Sequence, residues 1–220
     1  MPWSDHFTRQ EARYRDGLTR LPDDTDARQR QLTRVANAAL GAGFAKLMDE
    51  DEEQAGIWLR EAATRYRESY EGAPRESWGR MIGAVKLRLI AGDSVGARAD
   101  AEWTLASGAA AADSPIGRYA ACIAQLVLGD DAEAASLAAG LVEVGDEFPA
   151  DVAAALQALA TGDAESYGDA VGSVVRSFET RAEHLEDVPI ADTALMLNAL
   201  AAGRGLAREL VSPLVPAGRA

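Results

Sequence analysis

Only two histidines, His6 and His184, and one cysteine, Cys122, stand among the 220 residues, so nucleophilic and metal chemistry has few places to occur. His184 lies in SFETRAEHLED beside Glu179, Arg181 and Glu183. A metal site would need a second His or Cys at helical spacing, and the sequence offers none. A solvated or helix-capping histidine is the plainer reading. His6 sits near the N-terminus, in a segment expected to be free to move. Cys122, inside YAACIAQLVL, has no cysteine to pair with and reads as a small apolar filler. The run Asp49-Glu50-Asp51-Glu52-Glu53 lacks the glycine and the spaced oxygens of a calcium loop, and reads as a solvated helix start. No glycine-rich loop precedes a lysine to cradle a phosphate. The expected complement of metals and cofactors is none.

Six polar residues are more informative because they interrupt otherwise apolar segments: Arg80, Arg118, Gln125, Gln157, Asp192 and Asn198. They either bond across helices or line the surface on which a helical repeat holds its partner. On the second use they are the candidate partner-binding residues. The competing function is an enzyme with a small-molecule site in the helical groove, using Arg118 or His184 with nearby carboxylates. Against it stands the lack of a paired nucleophile and base, a metal cluster or a cofactor loop.

The elements that would position these residues are helices. Alanine alone supplies 46 residues, helix formers dominate, and no stretch keeps the period-2 alternation of a half-buried strand. The pair Gly-Asp recurs at Gly92-Asp93, Gly129-Asp130 and Gly162-Asp163, spaced by 37 and 33 residues. Glycine after an apolar run supplies the left-handed residue that ends a helix. The aspartate after it caps the next helix. The repeated phrase therefore means a helix hairpin, at a period that fits helix-pair repeats of the tetratricopeptide kind. Caps and breakers place helices at about 5–19, 25–48, 51–72, 76–91, 94–107, 115–128, 130–144, 149–161, 163–185 and 189–204. Pro115, Pro149 and Pro189 fall where a first-turn proline is tolerated. Segments 115–128 and 189–203 are apolar nearly all round and should be inner helices, while their partners have one apolar stripe. The fold class expected is all-α, with antiparallel helix-hairpin repeats forming a short α-solenoid or compact superhelix. It makes one domain over 1–220, with 1–23 as an N-terminal helix able to move.

The net charge of −13 opposes phosphate-driven nucleic-acid binding and anionic membrane surfaces. The N-terminus carries charge throughout, and no apolar run approaches a membrane span, so a cytoplasmic, soluble protein is expected. Its oligomeric state is open. Twenty arginines accompany only Lys46 and Lys86, a balance found in salt-loving hosts and also in Arg-rich chains from GC-rich genomes.

The last third reads SYGDAVGSVVRSFETRAEHLEDVPIADTALMLNALAAGRGLARELVSPLVPAGRA. Its amphipathic helix, its apolar helix ending in Ala-x-x-x-Gly-Leu and its Ser212-Pro213-Leu214-Val215-Pro216 resemble the C-terminus of the immunity protein 49 family. The Trp78 segment ending in LRLIAGD is similar to that family's central segment. The resemblance covers about residues 40 to 217. Where the family usually carries an aromatic before the final proline, this chain has Leu214-Val215. The resemblance implies an all-α protein that binds and neutralises a toxin domain, without an activity of its own and without catalytic residues to carry over.

If the acidity is adaptation to salt, screening should relieve the self-repulsion of the folded surface. The melting temperature should then rise clearly between about 0.1 M and about 2 M KCl. A value that barely moves would count against a salt-loving host.

Overall fold

A computed structural model of the chain describes residues 2–217. Among them are ten α-helices and no strand. They are α1 Trp3–Thr19, α2 Thr25–Met48, α3 Glu52–Tyr70, α4 Trp78–Ile90, α5 Ser94–Ala106, α6 Pro115–Leu128, α7 Asp131–Glu143, α8 Ala150–Thr161, α9 Ala164–Glu179 and α10 Asp192–Ala202. The fold is all-α. No helix among the described residues is long and apolar enough to cross a membrane.

Each Gly-Asp pair ends one helix and starts the next. Gly92, Gly129 and Gly162 have φ of +67°, +83° and +72°, a region where a side chain would strain the backbone. Behind each glycine the aspartate N–H donates to the carbonyl five residues back. The bonds are Asp93 to Arg88 (2.9 Å), Asp130 to Gln125 (3.0 Å) and Asp163 to Ala158 (3.0 Å). This bond closes a Schellman turn. The same aspartates then accept N–H groups of the helix that follows, from Gly96, Glu133 and Ser166. A fourth turn has the same bonds without the glycine. Asp51 N–H donates to Lys46 O at 3.0 Å, Asp51 caps α3 at Gln54, and Glu50 holds the left-handed position at φ +60°. The acidic run read as a solvated helix start is thus a turn of the same type.

Consecutive helices pack against each other from α1 to α9. Helices α4, α6 and α8 also touch in sequence, forming an inner row, and α10 reaches α4, α8 and α9. Side chains at the helix contacts are small. A Cβ at Gly43 of α2 would come within 2.8 Å of the Leu59 side chain, so α2 and α3 approach at a distance only glycine allows. Cys122 is buried, and burial pushes its thiol up to about 12.

Polar ties join α3, α4 and α5. Asp100 of α5, almost without exposure, meets Arg67 of α3 at 2.6 Å and Arg88 of α4 at 3.3 Å. Arg88 also holds the capping Asp93 at 2.8 Å. Helix α1, in the segment expected to be free to move, packs along α2, and its Gln10 has no exposed surface. Tyr14 and Phe7 set their ring edges on Trp58 of α3.

Three expected boundaries shift. Helix α9 was expected to run to 185, and it stops at Glu179. Its buried stripe ends at Phe178, and the next stripe positions, Arg181 and Ala182, are exposed, so nothing holds a further turn. The chain instead crosses to α2 through a 3-10 turn at Leu185–Asp187, where Glu186 and Asp187 both have φ of +57°. Pro189 consequently lies ahead of α10 and not in its first turn, and Pro149 is the N-cap residue of α8.

The turn chemistry predicts the effect of one substitution. Glu50→Gly relieves a side chain held at positive φ and should stabilise the fold by about 0.5–1 kcal/mol. Thermal or denaturant unfolding checks it, and a destabilised variant would mean that Glu50 gains something other than the turn.

Candidate functional site

The six candidate residues do not converge. Arg80 of α4 reaches α2, donating from Nε to Thr33 Oγ1 at 3.2 Å and from Nη2 to Gln29 Oε1. It forms no ion pair among the described residues, burial disfavours its charge, and its Nη1 is buried without a partner. Arg118 of α6 donates to the Gly140 carbonyl of α7 at 2.9 Å. Gln125 is half-buried near the end of α6. Gln157 of α8 is half-buried too, with its Oε1 enclosed and unpartnered. Asn198 of α10 pins the chain that follows. Its Nδ2 donates to Arg208 O at 2.9 Å, while its Oδ1 accepts Arg208 N–H at 2.9 Å and the Tyr167 hydroxyl at 3.3 Å. Arg80, Arg118 and Asn198 thus spend donors or acceptors across elements.

Asp192 lines a cavity. It pairs with Lys86 of α4, the two side chains being 12% and 14% exposed. Around this pair lies a cleft of about 250 Å³ with Phe44 and Phe178 on its walls and Arg181 and His184 at its rim. The Arg181 guanidinium sits 3.6 Å from the centre of the Phe178 ring. The hydroxyls of Tyr66 and Tyr119 are pushed far up, first by burial and then by the Asp192 charge. A lysine, a carboxylate and a histidine thus line one small cleft. Arg118, the other group weighed for an enzyme, lies outside it. No group of three metal-ligating side chains exists among the described residues.

The crossing segment that carries His184 is tied to α1. Gln10 donates to Glu186 O at 2.9 Å, Arg13 pairs with Glu186, and Arg9 stands 3.8 Å from Asp187. His6 belongs to this contact. It is buried beside Arg9, and its pKa is lowered first by burial and then by Arg9, with Asp187 opposing. Neither Lys86 nor this latch was singled out from sequence. The one available signal was that Lys86, one of two lysines, interrupts the apolar run of α4.

A second feature is electrostatic. Residues 119–175, from α6 through α7 and α8 into α9, carry ten carboxylates and neither lysine nor arginine. Among the described residues only Asp131 of these ten forms an ion pair, with Arg204. Glu133, Glu143, Asp146, Glu147, Asp163, Glu165 and Asp169 are exposed, and Val142 stands 54% exposed among them. Elsewhere the balance is near even: residues 1–118 hold nineteen carboxylates against seventeen lysines and arginines.

No family model matches the chain, and neither a curated protein nor a solved structure matches it.

The Lys86–Asp192 pair sets a stability test. Asp192→Ala strands a buried ammonium and should cost about 3 kcal/mol. Lys86→Met together with Asp192→Leu removes both charges and should recover most of that loss. Urea unfolding of the two variants checks it, and a fully additive double loss would show that the pair is not coupled.

Proposed function

We propose that the chain is a non-enzymatic helical protein that binds a basic partner protein through the α7–α9 face, as an immunity factor holds a toxin domain. The observation that carries this reading is the segregation of charge. Adaptation to salt would spread acid over the whole surface, whereas here the excess lies in 119–175 and the first half of the chain is nearly balanced. A patch of one sign, with small and apolar side chains between the carboxylates, steers and orients a partner of opposite sign. The resemblance to immunity protein 49 supports the same class of function. The helix ties made by Arg80, Arg118 and Asn198 occupy those side chains within the fold, which favours the acidic residues as the contact surface.

A second reading rests on the cleft: Lys86, Asp192 and His184 could serve a small-molecule reaction. It predicts loss of turnover in His184→Ala with the partner complex intact.

The test of the first reading uses the toxin-like product of a gene adjacent to this one. Neutralising Glu143→Gln, Asp146→Asn and Glu147→Gln together should lower its association rate about 10-fold at low salt, with little change in melting temperature. The wild-type rate should itself fall steeply as salt is raised. A variant that associates as fast as wild type would remove the acidic face from the interface.

A further inference from the structure

After α10 the chain turns through Gly205 at φ +70° and runs extended over 206–211 beside α9. Its first half is secured. Leu206 N–H donates to Ala201 O at 2.9 Å, Asn198 holds both peptide groups of Arg208, and the Arg208 guanidinium donates to Ala164 O at 2.5 Å. Its second half is not. Among the described residues the peptide groups of Glu209, Leu210 and Val211 make no hydrogen bond. Exposure alternates along it as on a strand: Glu209 out, Leu210 buried, Val211 out at 83%.

Beside this edge lies a groove of about 290 Å³ bounded by α9 and Leu210. Its α9 wall presents Val171, Val175 and two glycines, Gly168 and Gly172. A Cβ at Gly172 would meet only the tip of Arg176, at 3.4 Å, so the wall there is bare backbone. Arg176 and Glu209 at the rim are exposed and form no ion pair among the described residues. An extended stretch with unused donors and acceptors, anchored at Arg208 and next to a trough with small residues on its far wall, is matched by another extended chain. Such a chain supplies main-chain bonds to the edge and lays alternate side chains into the trough.

We propose that Glu209–Val211 is an edge strand that takes up an extended segment of the partner protein, with an apolar side chain in the groove and a basic one at Glu209. The proposal rests on the partner-binding reading, since α9 borders both the groove and the acidic face and one partner can span them. It does not depend on the carboxylates of α7.

The experiment selects peptides from a phage-displayed library of random twelve-residue sequences on the full chain, with counter-selection on Gly172→Leu. Leucine there fills the groove and favours the helix, so that variant should melt no lower than wild type. The expected winners alternate apolar residues with Lys or Arg. A synthetic winner should bind wild type at least about 10-fold tighter than Gly172→Leu and lose that margin when its central peptide nitrogen is methylated. It should also slow amide exchange at 209–211. Peptides that bind both proteins equally, or that ignore the methylation, would overturn the proposal. So would recovery of none, or a chain that sediments as a dimer through Val211. The α7 variant Glu143→Gln/Asp146→Asn/Glu147→Gln should still bind the winner, so failure of the acidic face and failure of the edge give different results.

Discussion

The left-handed residue between two helices, followed by an aspartate that caps the second, is the constraint on which the molecule depends. It occurs at Gly92, Gly129 and Gly162, and with a glutamate at Glu50. A turn this short leaves the second helix no choice but to return along the first. Adjacent helices are thereby kept in contact with one another along the chain. Small side chains can then do the rest, because alanine faces let helices approach closely and each pair buries area over its whole length. The alanine content and the turns are two halves of one solution.

The last helix faces a different constraint. Helix α10 is apolar almost all round and is buried almost all round, so its register cannot be set by amphipathicity. Its two buried polar residues set it instead. Asp192 must meet Lys86 at one end, and Asn198 must meet Tyr167 and the Arg208 backbone. A shift of one residue would leave a buried charge and a buried amide unpaired, at a cost no apolar contact recovers. Asn198 also decides where the chain goes after α10, and so places the extended stretch beside α9.

Local features were legible in the sequence and long-range ones were not. The bounds of α2 and α6 follow directly from Asp24 and Ser114 as caps and from Pro115 in the first turn. The Gly-Asp turns were visible because glycine advertises a positive φ, and Glu50 was invisible because glutamate does not. Helix α9 was drawn too long because its sequence contains no breaker before Pro189, and only the loss of buried neighbours after Phe178 ends it. The pairing of Lys86 with Asp192 spans 106 positions, and no local pattern announces it. The inner polar residues interrupt apolar runs of the sequence. Whether such a residue ties helices or meets a partner depends on what stands across from it, and that is tertiary information.

The acidic face can be divided by what folding needs. Asp130, Asp131 and Glu133 stand at the start of α7, Asp151 at the start of α8, and Asp163 and Glu165 at the start of α9. Negative charge at a helix N-terminus is favoured by the dipole and by the free N–H groups, and hydrogen bonds from Ser166 hold the Asp163 carboxyl below its usual range. These acids have a structural reason to be present. Glu143, Asp146 and Glu147 do not. Glu143 closes α7, where the dipole disfavours it, Asp146 and Glu147 stand in the 3-10 turn Gly145–Glu147 that follows, and no cation pairs with any of the three among the described residues. Their mutual repulsion works against the fold. A lysine at any of the three would be better for stability, a cost that the proposed basic partner would offset.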